Sequence, residues 1–387
     1  MNIAFFCIPA HGHTNPTLAV VRELTARGHT VRYYTTEAFR AKVEAAGAVF
    51  VPFDAEAARP GMTAADGARL GSDLAFSTRL IVDLTLAADD WLSRELTVHR
   101  PDVIVGDSMA FWAKLAAKKH GIPFVSSTTT FAFNRFSAKV IGQNGAGFLQ
   151  FLLAQPRINR QLKRLRAAGY TAKSVFDIIA NDNETETVVY TSPDFQPCAD
   201  TFSEKYHFVG PLLRPAQSSF EKLPGRSLIY ISLGTVNNDA LPFYRACLAA
   251  FGGDPRFQLV LSAGTQADLA AFGPIPESCT VRASVDQMAV LDCADVFLTH
   301  CGMNSASEGL WHGLPLVLYP QTPEQHGVAN RVAALGAGVP LTDPSADGIR
   351  RAVETALTDP SYRENAQKLA GGFRRCGGAA EAADAIE

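Results

Sequence analysis

The sequence predicts an α/β protein built from two Rossmann-like, doubly wound domains. Short apolar runs typical of buried strands alternate with helical stretches, and this alternation begins at Asn2 and again at Leu228. An irregular stretch rich in Pro, Ser and Gly, residues 213–225, separates the two series as a linker. Because strand–helix–strand repetition favours parallel pairing, we expect one parallel sheet in each domain, at 1–212 and 226–360.

The first domain can be predicted element by element. Asn15 is a good N-cap and Pro16 a favourable first helical residue, so the first helix is expected to begin there and to end at Gly28. Residues 131–153 interrupt the alternation, because phenylalanines fall there among Gly, Asn and Gln. The apolar runs predict strands at 2–8, 31–34, 101–105, 124–126 and 188–191.

The second domain repeats the alternation and carries the most informative segment, residues 296–325. After the third of its predicted strands, Gly302 permits a tight turn and Asn304 is a good N-cap for the next helix. Polar residues at the carboxyl edge of a parallel sheet mark a ligand crevice. The predicted strands of this domain are 228–232, 258–262, 296–299 and 316–319.

The residues of this crevice suit a nucleotide. The start of a helix offers free amides and a partial positive charge, which favour a phosphate. His300, Asn304 and Glu308 are spaced four residues apart, so Asn304 and Glu308 lie on one helix face with His300 just ahead of it. We therefore expect phosphate at the turn and ribose hydroxyls at the Glu308 carboxylate.

Composition and charge limit the possible functions. The 387 residues are 47% hydrophobic and 19% charged, and the net charge of −3 with no basic run argues against nucleic acid as a partner. The seven cysteines are scattered and never form C-x-x-C, which predicts a reduced, cytoplasmic protein without a disulfide framework or zinc site. No apolar run is long enough to span a membrane.

A second polar cluster is predicted at the carboxyl edge of the first sheet. His11 and His13 follow the first strand in the motif HGHTNP, and Asp107 ends another strand. A histidine, with an ordinary pKa of about 6.5, suits proton abstraction at neutral pH, and a carboxylate can orient its other nitrogen. Two plainer interpretations stay open: His13 as a helix-capping loop residue, and Asp107 as a cap for its own turn.

The string His-Cys-Gly-x-Asn-Ser-x-x-Glu at 300–308, followed by Glu324 and Gln325, resembles the donor-binding signature of family 1 glycosyltransferases. These are GT-B enzymes that use nucleotide-activated sugars, and the bacterial macrolide-type branch, which includes broad-specificity flavonoid glucosyltransferases, is the most similar. The resemblance covers nearly the whole chain, including the motifs IPAHGHTNPTLAVVRELTARGH, TSPDFQP, FVGPLL, ISLGT and GGAAEAADAIE. It implies two domains facing a cleft, with a C-terminal helix at 361–387 that crosses back to the first domain.

The resemblance also implies roles for individual residues. In the family the second histidine of the HGH motif is the base and an aspartate supports it, which gives His13 and Asp107. The residues expected to bind the nucleotide sugar are Ser232, Gly234, Thr235, Ser284, Val285, Gln287, His300, Gly302, Asn304, Ser305, Glu308, Glu324 and Gln325. The residues expected to bind the acceptor are Phe76, Phe111, Phe131, Phe133, Phe136 and Phe148. A plain β-turn at 232–235, helix capping by Glu324 and Gln325, and core packing of the phenylalanines are the alternatives.

The implied reaction is an inverting transfer of a hexose, by family precedent glucose, from a UDP-sugar to a hydroxyl of an apolar or aromatic small molecule such as a flavonoid or macrolide. The chain has no D-x-D triad, which metal-using glycosyltransferases usually carry, so neither a metal nor another cofactor is expected. Ser284 and Asp286 stand where the family usually has an aromatic residue and a proline. The base is therefore uracil or thymine, with uracil as the default.

Two other functions are compatible with the same motifs. One is a GT-B sugar-nucleotide epimerase, which would need further acid and base groups around the sugar. The other is a non-catalytic auxiliary partner of a glycosyltransferase, a class that tends to lose the base or the phosphate motif. Both motifs are present here, at 11–16 and 300–308, which favours the transferase. The sequence does not indicate an oligomeric state.

Overall fold

The structure, a computed structural model, describes residues 1–53, 73–134, 136–137, 147–181, 183–234 and 240–387, with only the backbone for 147–153. The chain forms two compact units. The first is Met1–Tyr190, Cys198–Leu212 and Gly377–Glu387, and the second is Thr191–Pro197 and Leu213–Cys376. Within the described ranges, none of the helices combines the length and the apolar character needed to cross a membrane.

The described residues of the first unit form one parallel sheet. Its strands are β1 (Asn2–Phe6), β2 (Thr30–Thr35), β3 (Val49–Pro52), β4 (Val103–Asp107), β5 (Phe124–Thr128), β6 (Thr187–Val189) and β7 (Tyr206–Phe208). They lie in the order β3-β2-β1-β4-β5-β6-β7. Because the order reverses between β1 and β4, the carboxyl ends of these two strands form the switch point of a doubly wound sheet.

Aromatic pairs join β1 to β2 on both faces of this sheet. Phe5 stacks on Tyr33 with ring centroids 4.9 Å apart, and Phe6 stacks on Tyr34 at 4.2 Å. The members of each pair are register partners, and successive residues of a strand point to opposite faces. All four side chains are buried, so both faces of the sheet are covered, as is typical of parallel sheets.

The helices of the first unit include one whose start differs from the prediction. They are α1 (His11–Ala26), α2 (Arg40–Ala45), α3 (Leu74–His99), α4 (Phe111–His120), α5 (Gly147–Ala167) and α6 (Phe176–Ile179). The expected start of α1 at Asn15 and Pro16 is wrong, because Ala10 has the extended backbone of an N-cap and its carbonyl accepts the amide of His13 at 3.0 Å. His13 therefore lies in the first helical turn, and Pro16 lies inside the helix.

The second unit repeats this topology with a six-stranded parallel sheet. Its strands are β8 (Ser227–Ser232), β9 (Phe257–Ser262), β10 (Cys279–Arg282), β11 (Val296–Thr299), β12 (Leu316–Leu318) and β13 (Gly338–Pro340). They lie in the order β10-β9-β8-β11-β12-β13, with the switch point between β8 and β11. The prediction of two doubly wound α/β halves is confirmed.

The helices of the second unit include the one that follows the turn at His300. They are α7 (Leu241–Phe251), α8 (Gln287–Leu291), α9 (Met303–Trp311), α10 (Pro323–Ala334), α11 (Ala346–Thr358) and α12 (Pro360–Arg374). The N-cap of α9 is Gly302, with φ −59° and ψ 142°. Asn304 is not the cap that the sequence predicts, because the chain enters the helix two residues earlier and places Asn304 in the first turn.

The C-terminal segment is shared between the two units. α12 belongs to the second unit, where Phe373 is fully buried. The last helix, α13 (Gly378–Asp384), belongs to the first unit, and the following Ile386 is buried in the core there. The division falls at Gly377, so only the end of the predicted segment 361–387 packs with the first unit.

Gly106 provides a test of how tightly β4 is packed. A Cβ atom at this position would lie 2.7 Å from the ring of Phe124 and 3.2 Å from the Cβ of Ala113. Gly106→Ala is therefore expected to lower the free energy of unfolding by about 1–3 kcal/mol through overpacking. Gly253→Ala is the control, since a Cβ there meets no described atom within 4 Å. Urea unfolding measures both variants, and equal losses would contradict the packing argument.

Candidate active site

Two residues of the first unit meet at the switch point between β1 and β4. His13 lies in the first turn of α1, and Asp107 is the last residue of β4. His13 Nδ1 is 2.7 Å from Asp107 Oδ2. The Asp107 side chain is fully buried, whereas 17% of the His13 side chain is exposed. The structure thus brings the two predicted residues together, with the carboxylate behind a partly exposed imidazole.

Two further groups hold this pair. The backbone amide of Met109 donates to Asp107 Oδ1 at 2.9 Å, so the aspartate caps its own turn with one oxygen and binds His13 with the other. The buried hydroxyl of Thr129, just after β5, is 3.0 Å from His13 Nδ1. Thr129 belongs to no motif that predicts a site residue. Because it follows β5, however, it lies at the same carboxyl edge of the sheet as Asp107. Since Ala10 is the N-cap of α1, His13 is not merely a capping residue.

The short contact decides which imidazole nitrogen carries the proton. An ionised carboxylate only accepts hydrogen bonds, so His13 Nδ1 donates to Asp107 Oδ2. The neutral ring then has its lone pair on Nε2. An imidazole held in this way can accept a proton on Nε2, and the buried carboxylate stabilises the imidazolium that forms. This arrangement is suited to general-base catalysis.

The corresponding switch point of the second unit is built around His300. β8 ends at Ser232 and β11 at Thr299, and these two residues are register partners. The His300 ring lies against Gly234 and Gly302, because a Cβ atom on either glycine would be 2.6 Å from His300 Nε2. Gly234 also has a φ of +80°, in the left-handed region that favours glycine. Both glycines are therefore needed for the ring to occupy this place.

Burial keeps His300 neutral. It lowers the pKa of His300 to about 4, against a smaller raising effect of the Ser232 backbone. His300 Nδ1 is buried and has no hydrogen-bond partner among the described residues. The ring adjoins Gly302, the N-cap of α9, where the free amides of a helix start favour an anion. Nδ1 can therefore donate to a phosphate oxygen beside this helix N-terminus in the tautomer in which it carries the ring proton.

A chain of hydrogen bonds joins Glu308 to two other side chains of the second unit. Glu308 Oε2 accepts a hydrogen bond from the Gln287 amide nitrogen. Gln287 Oε1 in turn accepts one from the Tyr230 hydroxyl at 2.9 Å. Burial raises the pKa of the Glu308 carboxyl. Glu308 and Gln287 were predicted site residues but Tyr230 was not, although strand alternation puts it on the same face as Ser232.

Asp286, which replaces the proline of the family pattern, binds the segment that precedes β8. Its Oδ2 accepts the backbone amides of Gln217 at 2.6 Å and Ser218 at 2.9 Å. Its Oδ1 is 3.3 Å from the guanidinium of Arg214. Ser284 is exposed, and no aromatic side chain stands at this position. Asp286 therefore has a structural role in the linker, and Ser284 offers no stacking face.

Gln325 is used by the helix at whose start it lies. Its Oε1 accepts the amides of Gln321 at 2.8 Å and Thr322 at 3.2 Å, and the Thr322 hydroxyl accepts the Gln325 amide at 3.4 Å. This is a capping box, so the capping alternative is observed for Gln325. Its side-chain nitrogen is the group left to bind a ligand. Glu324 is exposed in the first turn of α10.

The remaining predicted donor residues are partly accessible or not described. Asn304 and Ser305 are half-buried in the first turn of α9, and Val285 is half-buried before α8. Thr235 and the side chain of Phe148 lie outside the described residues. In the part of the chain that the structure describes, no three His, Cys, Asp or Glu side chains are grouped to hold a metal ion.

The predicted acceptor-binding phenylalanines fall into two groups. Phe76 and Phe131 are buried, and Phe111 is partly buried against the core beside α3 and α5. Phe133 and Phe136 are exposed, by 47% and 42%. Of these five residues, Phe133 and Phe136 expose aromatic surface, whereas the others contribute to packing.

Comparisons with known proteins show which family the chain resembles. Residues 281–372 match the family model described as UDP-glucoronosyl and UDP-glucosyl transferase. The chain is 33% identical to the NDP-glycosyltransferase YjiC of Bacillus licheniformis, over 100% of the chain and 97% of that protein. It is 34% identical to the demethyllactenocin mycarosyltransferase of Streptomyces fradiae, over 100% of the chain and 86% of that protein. The crystal structure of the glycotransferase of kitacinnamycin has a TM-score of 0.86 and 31% identity, over 100% of this chain and 98% of that one.

The fold and the site define a glycosyltransferase of the GT-B type that uses a nucleotide-sugar donor and a small-molecule acceptor. The chain belongs to the family of UDP-glucuronosyl and UDP-glucosyl transferases, the family 1 glycosyltransferases, together with bacterial macrolide and NDP-glycosyltransferases. It is a hexosyltransferase. The predicted family, the GT-B fold and the enzyme class are confirmed.

Gly234→Ala tests the packing around His300. The added Cβ would strike the ring and displace it from the start of α9. We expect the affinity for UDP, measured by titration calorimetry, to fall at least about 10-fold, equivalent to ~1.4 kcal/mol. Gly225→Ala is the control, because its φ of +72° imposes similar backbone strain while its Cβ meets no described atom within 4 Å. An equal loss in both variants would argue against a role for His300.

The lowered pKa of His300 predicts a pH dependence of stability. The unfolded chain takes up this proton near a pH of about 6.5, whereas the folded protein resists it down to about 4. The contribution of the neutral His300 ring to the free energy of unfolding is therefore complete above pH ~6.5. It is lost as the pH falls towards ~4, which lowers the free energy of unfolding by up to about 3 kcal/mol. Urea titrations measure the unfolding free energies of wild type and His300→Gln. We expect the first minus the second to decrease by this amount as the pH falls through this range. A difference that does not change with pH would contradict the burial of this ring.

Proposed function

We propose that the enzyme transfers a hexose, glucose as the first candidate, from a UDP-sugar to a hydroxyl of an apolar or aromatic small molecule, with inversion. The observation that carries the proposal is the 2.7 Å contact between His13 Nδ1 and the buried Asp107 carboxylate. It leaves Nε2 as the atom that takes the proton of the acceptor. A hydroxyl needs such a base because it is a poor nucleophile while it keeps its proton.

The reaction is a single in-line displacement. The acceptor oxygen bonds to the anomeric carbon as His13 Nε2 takes its proton, and the bond from that carbon to the diphosphate oxygen breaks. The electron pair leaves with the nucleoside diphosphate, whose charge is stabilised by the N-terminus of α9 and by His300. Because the acceptor attacks the face opposite the nucleotide, an α-linked donor gives a β-glycoside. No residue of the chain becomes covalently bound to the sugar.

The donor is proposed to be UDP-glucose. The name of the matched family supports a uridine nucleotide sugar, and Glu308 is proposed to bind the hydroxyls of its ribose. The exposed Glu324 carboxylate and the side-chain nitrogen of Gln325 are the groups for the hydroxyls of the hexose. A dTDP-sugar is the alternative donor, because the exposed Ser284 cannot select the base by stacking.

The acceptor is proposed to be a natural product with an apolar or aromatic body, such as a flavonoid or macrolide. Phe133 and Phe136 expose aromatic surface in the unit that carries His13. The relatives support this class by their names, since one is a demethyllactenocin mycarosyltransferase and a solved one is the glycotransferase of kitacinnamycin.

Transfer is proposed to need neither a metal ion nor another cofactor. The chain has no D-x-D triad. The free amides at the start of α9 and the unpaired Nδ1 of His300 offer the leaving diphosphate the stabilisation that a divalent ion supplies in metal-using transferases.

The proposal is tested by incubating the purified enzyme with UDP-glucose and a flavonol in the presence of EDTA. Mass spectrometry is expected to find one hexose added to the acceptor, and NMR is expected to show a β-linkage. His13→Ala is expected to lower the rate by about 10²–10⁴-fold. Its affinity for UDP should stay unchanged, because the nucleotide is bound by the second unit.

His120→Ala is the matched control, since it makes the same substitution at an exposed histidine of the first unit and should keep full activity. Transfer that survives His13→Ala would contradict the base. An α-linked product would contradict the single displacement, and activity that EDTA abolishes and Mg²⁺ restores would contradict metal independence. Conversion of the donor into another nucleotide sugar, without any acceptor product, would identify an epimerase.

A further inference from the structure

We propose that Tyr230 is a positioning residue that presents the Glu308 carboxylate to the ribose hydroxyls of the donor. The inference rests on the proposed function, in which Glu308 binds the ribose. Tyr230 acts through one intermediate side chain, Gln287, whose amide it holds in a single orientation. Its own side chain is almost fully buried, with 1% exposed, so it acts from behind the nucleotide-binding surface.

The ring and the hydroxyl of Tyr230 do different things. The ring stacks on Phe297, its register partner on β11, with centroids 4.8 Å apart. This packing needs only an aromatic ring, which phenylalanine would provide equally well. The hydroxyl is the single polar atom of the side chain, and it lies 2.9 Å from Gln287 Oε1. Tyr230→Phe therefore removes this hydrogen bond, together with the interaction of the hydroxyl with Ser232 and Ser262, and keeps the aromatic packing.

The side chains of Tyr230, Gln287 and Glu308 can form their hydrogen bonds in only one arrangement of donors and acceptors. An ionised carboxylate accepts hydrogen bonds but donates none, so the Gln287 amide must turn its NH₂ towards Glu308 Oε2. Gln287 Oε1 then faces Tyr230, and the Tyr230 hydroxyl must be the donor. Because a phenol can donate or accept, its donation here is fixed by the carboxylate at the other end of the chain.

This arrangement leaves one oxygen of Glu308 for the ligand. Oε2 is occupied by Gln287, and Oε1 makes no hydrogen bond to the described residues. Glu308 is half-buried on α9, one helical turn after Asn304. Burial raises the pKa of the Glu308 carboxyl, and the Gln287 hydrogen bond and the positive charge of Arg214 both oppose this effect by favouring the ionised form. An ionised Oε1 is a strong acceptor for the adjacent hydroxyls of a ribose.

Loss of the Tyr230 hydroxyl should therefore weaken ribose binding selectively. Gln287 Oε1 would lose its donor, and the amide would be free to turn its oxygen towards the carboxylate. Two acceptors would then face each other, and the ionised form of Glu308 would be disfavoured. We expect this to weaken UDP binding about 5- to 10-fold, the usual effect of losing a hydrogen bond of this kind.

The test compares UDP with 2′-deoxy-UDP by titration calorimetry. Tyr230→Phe is expected to weaken UDP binding about 5- to 10-fold and 2′-deoxy-UDP binding by a clearly smaller factor, because 2′-deoxy-UDP keeps only one of the two ribose hydroxyls that Glu308 would bind. In steady-state assays the KM for UDP-glucose should rise by a similar factor while kcat stays within about twofold. Tyr244→Phe is the matched control: Tyr244 is equally buried in the same unit, and its hydroxyl has no partner among the described residues.

A second variant separates positioning from general damage to the fold. Glu308→Gln is expected to reduce the preference for UDP over 2′-deoxy-UDP, and adding Tyr230→Phe to it should cause little further loss. Additive losses in the double variant would overturn the inference, as would equal weakening of both nucleotides by Tyr230→Phe or no weakening of UDP. If wild type binds neither nucleotide, the proposed UDP donor fails and the inference fails with it. Wild-type binding without a Tyr230 effect overturns the inference alone.

Discussion

The hydrogen bond between His13 Nδ1 and Asp107 Oδ2 is the interaction on which the proposed chemistry of the first unit depends. It requires β1 and β4 to be neighbours, because His13 follows one strand and Asp107 ends the other. It also requires a buried carboxylate, which is tolerated because the Met109 amide and the imidazole both donate to it. The Thr129 hydroxyl lies against the same ring nitrogen. Through this bond the fold fixes the orientation of the His13 ring, as the proposed role of a base requires.

The two units use the same sheet topology to build contrasting environments for a histidine. In each unit the strand order reverses once, and polar residues gather at the carboxyl ends of the strands on either side. His13 is partly exposed and backed by Asp107, whose charge stabilises an imidazolium. His300 is buried, its pKa falls to about 4, and Gly234 and Gly302 crowd its ring. The first ring is therefore suited to taking up a proton, and the second to binding a diphosphate as a neutral group.

Much of the fold was readable from the sequence because long apolar runs reveal strands without knowledge of their partners. The four strands that the sequence does not predict are the four sheet edges: Val49–Pro52, Tyr206–Phe208, Cys279–Arg282 and Gly338–Pro340. Helix starts were misplaced at Asn15 and Asn304, because N-cap preference is local while the preceding strand ends decide where each helix begins. His13 and Asp107 could be predicted to lie close together, because each follows or ends a predicted strand at the same edge of the sheet. Thr129 and Tyr230 were missed because their partners lie 116 and 57 residues away in the chain.

The tautomer of His13 is the property to measure, because the proposed base depends on it. The enzyme labelled with ¹⁵N-histidine would be examined by NMR above the pH at which the ring titrates, and comparison with His13→Ala would assign its signals among the nine histidines. We predict a protonated Nδ1 and an unprotonated Nε2, an arrangement that Asp107→Asn should disturb. A proton found on Nε2, with Nδ1 unprotonated, would contradict the proposed base. Nε2 would then have no lone pair with which to take the proton of the acceptor hydroxyl.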